Sequence, residues 1–435
     1  MDIAVLVLFS VLLLLCVIAD VSVVYAMLAG YLVFSFYALY RKFKIKDILK
    51  MSLEGVNTSK NILVTFMLIG VLTALWRAGG TIPAIVCFTT NFMKPSTFVL
   101  FAFLVNCLVS FLTGTAFGTA ATMGAVCMTI SEALGANPFV TGGAILSGAY
   151  FGDRCSFVST SALLVSTLTK TKLHDNMKGM VKTGAVPFVI TCAFYIIYGF
   201  AAPSSGVSGV DVTDVFASNF NMGIFAFLPA FVMLGLSFAR VNVKLTMLVT
   251  VLASALVCVF NENMALYDVL RCSVLGFSPQ NEQLEGMLSG GGIVSMIRVS
   301  VIVLVSSCYS GIFKKTGLLD SLKNVMRKLS KSASSFELVL ITSVFSAMIA
   351  CNQTLSIMLT HQICDEFEKD NGKMAVFLEN SAVVVAPLVP WSIACATVFD
   401  SSGAPAMSFL TAVFLYLVPM WNVFCERKKY SKCYK

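Results

Sequence analysis

The sequence predicts an all-α polytopic membrane protein of two inverted-topology repeats, with discontinuous helices and re-entrant hairpins. Three observations lead to this prediction: the composition, the order of similar segments in the two halves, and the exchange of basic loops between them. Of the 435 residues, 58% are hydrophobic and 12% are charged, about half the charged share of a soluble domain. A spanning helix needs roughly 20 apolar residues, and the chain supplies about ten to twelve such segments.

Similar segments recur in the same order along the chain. Leu284-Glu-Gly286 repeats Leu53-Glu-Gly55, and residues 351–356 fall where residues 114–119 stand in the first half. This order predicts two repeats joined by a linker without Lys or Arg. The predicted parts are residues 1–202 as the first transmembrane repeat, 203–219 as an extracytoplasmic linker, 220–425 as the second, inverted transmembrane repeat, and 426–435 as a basic cytoplasmic tail.

The basic loops change places between the halves. Loop 41–60 has six Lys or Arg residues, while its counterpart 261–290 has one Arg and four acidic residues. Loop 92–97 has one Lys, while its counterpart 314–331 has six basic residues. Because basic loops stay in the cytoplasm, corresponding loops must lie on opposite sides, as inverted repeats require. The same rule places both termini in the cytoplasm and the chain in the cell membrane.

Charge and glycine coincide in the stretch 142–162. Asp153 and Arg154 lie there between apolar arms, among several hydroxyl residues. Such charges are costly at membrane depth, so they face a protein interior or a water-filled cavity. We interpret the stretch as a broken or re-entrant hairpin whose tip belongs to a solute site. The Gly/Thr run 113–124, in the middle of another apolar segment, predicts a discontinuous helix.

Broken helices expose free backbone groups near the membrane midplane, where secondary transporters bind their solutes. Hydroxyl and carbonyl oxygens suit hard cations, and a buried carboxylate can exchange a proton for a cation. Glu379 is the second-half carboxylate that we match with Asp153, which is the predicted Na⁺ ligand. The full set of candidate ion- or substrate-binding residues is Asp153, Thr113, Gly114, Thr115, Thr119, Thr122, Ser156, Ser159, Thr160, Asn352, Gln353, Ser356, Glu379, Asn380 and Ser381.

Other interpretations of these residues stay open. Arg154 is either a contact for an anionic solute or a structural partner of its neighbour Asp153. The Gly/Thr run could serve helix packing alone, and Glu379 could extend toward a membrane interface. Asn352 and Asn380 could simply join helices by hydrogen bonds.

Several motifs resemble the NhaC-type sodium/proton antiporter family, within the wider ion-transporter superfamily. The resemblance covers nearly the whole chain and implies coupled antiport by alternating access, with no covalent chemistry and therefore no enzyme. It implies no cofactor, with Na⁺ and H⁺ as transported ions. Because similar proteins exchange malate or lactate, an exchanger of an organic anion or amino acid coupled to Na⁺ or H⁺ is the alternative. The motifs are Ala78-Gly-Gly-Thr-Ile-Pro83, Thr113-Gly-Thr-Ala-Phe-Gly-Thr119, Gly148-Ala-Tyr-Phe-Gly-Asp-Arg154, Leu355-Ser-Ile357 and Ala386-Pro-Leu-Val-Pro-Trp391.

The chain departs from the family pattern at three positions that usually carry a carboxylate. They are Thr160, Asn352 and Asn380, all neutral here. Each replacement removes a potential proton carrier and one unit of attraction for a cation.

The expected partners are the lipid bilayer and a small ion or organic solute, and we allow for a homodimer. We expect no nucleic acid, because the basic residues lie in orienting loops. An intramembrane enzyme is a competing hypothesis, but the sequence lacks His-Glu-x-x-His and Gly-x-Ser-x-Gly motifs. A passive channel is another, and it would show no uphill flux.

Overall fold

Helices make up nearly all the regular structure. The computed structural model describes residues 2–19, 23–90, 95–156, 159–201, 212–239, 241, 243–279, 284, 288–316, 326, 327, 329, 330 and 333–433. In this part of the chain no β-strand occurs, and Phe277 and Gly290 form an isolated antiparallel bridge. Most of the predicted linker 203–219 lies outside the described residues.

The α-helices of the first half, in chain order, are α1 Asp2–Ile18, α2 Val23–Tyr40, α3 Ile45–Ala78, α4 Thr81–Thr90, α5 Pro95–Thr113, α6 Ala116–Thr119, α7 Ala125–Ala133, α8 Pro138–Cys155, α9 Thr160–Thr169 and α10 Leu173–Ala201. Those that follow are α11 Val212–Asn219, α12 Leu228–Phe238, α13 Val243–Phe260, α14 Leu266–Leu275, α15 Gly292–Ser295, α16 Ile297–Thr316, α17 Ser335–Ala350, α18 Gln353–Cys364, α19 Asn371–Glu379, α20 Ala382–Val385, α21 Ile393–Ser402 and α22 Val413–Cys433. A π-helical turn, Ala120–Gly124, joins α6 to α7.

Apolar helices long enough to cross a membrane are fewer than the sequence predicts. By length and composition, Leu173–Ala201 and Ala406–Arg427 qualify among the described residues, and a third span results if the bent pair Asn371–Leu388 and Ile393–Ser402 counts as one. Eight other apolar helices are 10–17 residues long. Breaks inside the apolar segments shorten the helices, which accounts for part of the difference.

The chain reverses direction at Gly114 and Thr115. Gly114 is left-handed, with φ of +66°, and Thr115 is extended and caps α6. On α5, Asn106 donates a hydrogen bond to Cys127 of α7 (3.5 Å). Ser131, four residues further along α7, bonds Thr141 near the start of α8. The returning arm α6–α7 therefore runs antiparallel to α5, and the segment 95–133 is a helical hairpin.

A second hairpin in the other half has the same tip geometry. Cys351 is left-handed, with φ of +52°, and the extended Asn352 caps α18. The arms are antiparallel because Cys364, at the end of α18, contacts the carbonyl of Leu338 near the start of α17. In both hairpins the chain reverses through a left-handed residue followed by an extended cap residue. Glycine adopts the left-handed conformation most easily.

The stretch around Asp153 is a broken span, which corrects the expectation of a hairpin there. Helix α10 runs antiparallel past α8 and then α9: Tyr195 bonds Ser147 (3.1 Å), and Asn176 bonds Ser166 (3.1 Å). Between them, Thr183 of α10 bonds Arg154 (3.1 Å). Helices α8 and α9 therefore follow one another in the same direction. The described residues of the break, Ser156 and Ser159, are both extended, so the chain keeps its course.

A matching broken span lies in the second half, where Asn371–Leu388 and Ile393–Ser402 are bent by 57°. The two broken spans agree residue by residue. Three caps of the second span each lie 233 residues after their counterparts in the first span. The N-cap of the first helix is Asn137 or Asp370, and the N-cap of the second helix is Ser159 or Ser392. The left-handed cap that ends the span is Lys170 or Gly403.

This register pairs Asp153 with Ala386, and Glu379 with Leu146. The expected equivalence of Asp153 and Glu379 is therefore wrong by seven residues, which is about two helical turns. The sequence motifs aligned the apolar stretches of the two halves. The caps give a different alignment, because they define where each helix begins and ends.

Helices α3 and α16 pack closely and antiparallel through glycine. A Cβ atom on Gly55 would lie 1.9 Å from the carbonyl oxygen of Ser307, and one on Gly311 would lie 2.0 Å from that of Met51. Further along, Gly70 of α3 faces the carbonyl of Gly292. These glycines permit backbone contact that any side chain would prevent.

Candidate ion site

Asp153 lies in the last turn of α8, just before the break, and its carboxylate is held by three donors. Ser159 donates to Oδ1 (3.2 Å), while Ser161 (2.9 Å) and Gln353 (3.1 Å) donate to Oδ2. The residue is only 5% exposed. A buried carboxylate with three hydrogen bonds can keep its negative charge.

The second hairpin reaches this carboxylate with its tip. Gln353 is the first residue of α18 and also donates to the carbonyl of Val383 (3.2 Å). The carbonyl of Cys351, at the same tip, accepts from the backbone N–H of Ile393 (2.9 Å). One hairpin tip therefore joins the broken span of each half, and Asp153 lies at that junction.

Arg154 has a separate set of partners, on α10 and at Asn380, the residue that follows α19. It is fully buried and donates to the side-chain oxygen of Asn380 through Nε (3.2 Å) and Nη2. Nη2 also donates to the carbonyl of Met180 (2.9 Å) and to Thr183 (3.1 Å). The amide nitrogen of Asn380 in turn donates to Asn422 (3.0 Å). The guanidinium is thus bound by the protein itself.

These contacts show how Arg154 and Asn380 are held. Successive helical side chains point about 100° apart, and the described residues contain no ion pair within 4.0 Å between Asp153 and Arg154. Arg154 acts as a structural partner of Asn380 and α10. Asn380 joins helices, as its alternative interpretation states.

Glu379, the neighbour of Asn380, is fully buried, and neither carboxylate oxygen has a hydrogen-bond partner among the described residues. It does not extend toward an interface. A buried charge without a partner costs several kcal/mol, so this carboxylate requires a proton or a nearby cation.

The Gly/Thr run forms the first hairpin tip and the start of its returning arm. Thr115 caps Gly118, Thr119 donates to the carbonyl of Thr115 (2.9 Å), and Thr122 donates to the carbonyl of Gly118 (2.7 Å). Their oxygens keep lone pairs. The buried Gly114 makes the turn, whereas the side chain of Thr113 lies outside what is described. Thr122 lies in the π-helical turn Ala120–Gly124, and such turns are frequent at functional sites.

The other candidates are divided between the junction and its surroundings. Ser156 and Ser356 are buried, and the hydroxyl of Ser356 has no hydrogen-bond partner among the described residues. Asn352 is used as the cap of α18, and Ser381 donates to the carbonyl of Phe377 (2.6 Å). Thr160 is exposed, in contrast to the serines on either side of it.

Three residues that bind Asp153, Arg154 or Asn380 were not among the candidates predicted from the sequence. Ser161 was visible as one of the hydroxyls of the stretch, but no spacing distinguished it from Thr160. Thr183 and Asn422 lie on α10 and α22, in segments without glycine breaks, so the sequence gave no reason to select them.

A cavity of about 640 Å³ opens beside the cluster that Arg154 and Asn380 form with their partners. Its inner wall includes Thr183 and Asn422, which bind Arg154 and Asn380, together with Phe377 of α19. Its outer wall carries charged residues, among them Lys172 and Asp370. Water can therefore approach the surroundings of Glu379 from this side.

Residues 148–423 match the Na⁺/H⁺ antiporter family. The chain is 27% identical over 393 residues to the Malate-2H(+)/Na(+)-lactate antiporter of Bacillus subtilis, covering 88% of this chain and 82% of that protein. It is 24% identical to the Na(+)/H(+) antiporter NhaC of Alkalihalophilus pseudofirmus, covering 90% and 87%. It is 27% identical to the Arginine/ornithine antiporter ArcD of Halobacterium salinarum, covering 80% and 74%.

The matched region begins within α8 and contains the rest of the first broken span with Asp153, the second broken span, the second hairpin and the partners of Arg154. The family that it matches is one of antiporters. The apolar helices and this match together identify a membrane protein, and the chain belongs to the Na⁺/H⁺ antiporter family.

Proposed function

We propose that the protein exchanges Na⁺ for H⁺ across the cell membrane by alternating access around Asp153. The observation that carries this proposal is the position of Asp153, where a broken span of one half meets a hairpin tip of the other. Relative movement of the halves would change the ligands of a cation held there. Relatives named as Na(+)/H(+) antiporters support the choice of ions.

Inverted repeats account for the helix directions. The hydroxyl of Tyr150 on α8 donates to the carbonyl of Ala394 at the start of α21 (2.8 Å), and Gly142 faces Ala404 just beyond its end. Helix α8 is therefore antiparallel to α21, whose counterpart is α9. Because α8 and α9 run in the same direction, corresponding spans run in opposite directions, which supports inversion.

Two further features support the same arrangement. Helices α2 and α13 both have 18 residues, and each α13 position lies 220 residues after its counterpart. The basic loops change places between the halves, so both termini are assigned to the cytoplasm. In this arrangement each hairpin enters the membrane and returns to the side from which it came.

The test is ²²Na⁺ uptake into proteoliposomes driven by an outward proton gradient. Wild type should take up Na⁺, and Asp153→Asn should match empty vesicles, because the amide retains the size but loses the charge. Asp370→Asn is the control, since this exposed residue caps α19 away from Asp153. Uptake by Asp153→Asn at the wild-type rate would refute the proposal.

Exchange of an amino acid or organic acid is the second candidate, because two relatives are named for such solutes. The geometry favours a cation, since Arg154 already has protein partners. Thermal stabilisation distinguishes the candidates, because a ligand that binds the folded state raises its melting temperature. Stabilisation by malate, lactate, arginine or ornithine, without any by Na⁺, would favour the second candidate.

A further inference from the structure

Glu379 and Asp153 are two buried acids with different surroundings: Asp153 directly precedes Arg154, and Glu379 directly precedes Asn380, which accepts hydrogen bonds from Arg154. From this arrangement we infer that Glu379 carries the exchanged proton, while Asp153 holds the cation. This inference rests on the proposed Na⁺/H⁺ exchange and assigns its two ions to two residues. The broken-span register agrees with separate roles, because it pairs neither acid with the other.

Hydrogen bonding distinguishes the two carboxylates. Asp153 accepts from two serines and from Gln353, so its negative charge is stabilised without a proton. Both oxygens of Glu379 lack a hydrogen-bond partner among the described residues. Since a buried polar group in a folded protein is normally paired, Glu379 is the group whose charge depends on what else is bound.

The charges of Arg154, Asp153 and Glu379 are balanced by one further monovalent cation, and the hydrogen bonding described above assigns Na⁺ to Asp153 and a proton to Glu379. Arg154 contributes one fixed positive charge, and the two acids contribute two potential negative charges. One further cation makes the cluster neutral: either Na⁺ at Asp153 or a proton on Glu379. Both together leave an excess positive charge, and neither leaves an excess negative charge, each of which is costly in a buried place. The two ions therefore replace each other although they bind different residues.

No other charged group of the described residues interferes with this balance. The groups that act electrostatically on Glu379 are Arg154 and Asp153, with the thiol of Cys155 beside them. Helix α19 packs against α9, α10, α17, α18 and α20, and their charged residues do not act on it.

The proton has a path that does not pass through the cation site. The 640 Å³ cavity is lined by Val376 and Phe377, on the helix that ends with Glu379, and by Asn422, which bonds the adjacent Asn380. None of the hydrogen-bond donors to Asp153 lines this cavity. Water in it can deliver a proton near Glu379 while Na⁺ approaches Asp153 elsewhere.

The experiment measures Na⁺ affinity of the purified full-length protein by titration calorimetry over a range of pH. In wild type, affinity should rise about tenfold per pH unit, because each bound ion releases one proton. Glu379→Gln imitates the protonated acid, so it should bind Na⁺ weakly and with no dependence on pH. Asp153→Asn should not bind Na⁺. Asp175→Asn, an exposed change in the wall of the same cavity, should keep the wild-type slope.

The outcomes separate this inference from the proposed function. A wild-type slope in Glu379→Gln would overturn the inference and leave Na⁺/H⁺ exchange intact, with Asp153 carrying both ions. Absence of Na⁺ binding by wild type at every pH would overturn the proposed function itself. Should Glu379→Gln fail to fold, Glu379→Asp and direct measurement of protons released when Na⁺ is added to wild type provide the test. Release of no proton overturns the inference.

Discussion

Replacing Asn380 by alanine should destabilise the protein more than removing another buried asparagine. The side-chain oxygen of Asn380 accepts from two nitrogens of Arg154, and its amide nitrogen binds Asn422. Alanine leaves part of a fully buried guanidinium without acceptors. Hydrogen bonds to charged groups contribute about 1.5–3 kcal/mol each, so we expect a loss of about 3–5 kcal/mol.

Thermal unfolding in detergent, followed by intrinsic fluorescence, measures this loss. For a chain of this size it corresponds to a decrease in melting temperature of about 3–5 °C. Asn176→Ala is the matched control: Asn176 is also buried and also makes two hydrogen bonds, but to the neutral Ser166 and Thr171. Its decrease should be about half as large.

Asn380→Asp supplies the opposite test at the same position. A carboxylate keeps the acceptor for Arg154 and adds an ion pair, but it loses the hydrogen bond that the amide donates to Asn422, so this variant should melt between Asn380→Ala and wild type. Equal melting temperatures for Asn380→Ala and wild type would refute the idea that Asn380 holds a buried charge. So would an Asn380→Asp variant that is less stable than Asn380→Ala.

The remaining predictions concern helix packing, the carboxylate and a hairpin tip. Gly55→Ala should lower the melting temperature, because its Cβ would overlap a carbonyl of α16, whereas Gly235→Ala, with open space around it, should not. Ser161→Ala should slow ²²Na⁺ uptake through loss of a donor to Asp153, and Thr160→Ala, an exposed neighbour, should leave uptake unchanged. Cys351→Gly should raise the melting temperature by about 1 °C, since glycine relieves about 1 kcal/mol of left-handed strain; a decrease would contradict this account of the tip.

The sequence predicted where the helices break more reliably than what each break does. Gly114 and Cys351, which the sequence places at corresponding positions of the two halves, are both left-handed. Whether a break reverses the chain depends on the backbone angles of one or two residues, and apolar composition does not encode these angles. The stretch around Asp153 is rich in glycine and hydroxyl residues and was therefore predicted as a hairpin, although α8 and α9 run in the same direction.

The structure brings together Asp153, Ser159 and Gln353, three of the residues that the sequence proposes as ion ligands. Charge in an apolar segment was a sufficient signal for Asp153. The partners of Arg154 could not be predicted, because they lie on helices that only tertiary packing brings near. The position of Glu379 depended on a register that caps define, and single-residue caps are weak signals in an unaligned sequence.

The pairing of Asp153 with Ala386 makes the two broken spans geometrically alike but chemically unequal. Duplication of one architecture offers two symmetry-related places for an acid, and only one of them carries it. In the proposed exchange, a cation held at Asp153 would therefore lie on the broken span of one half and have no equivalent site on the other. The broken span of the other half, with Ala386 at that position, would serve as the scaffold against which the site opens first to one side of the membrane and then to the other.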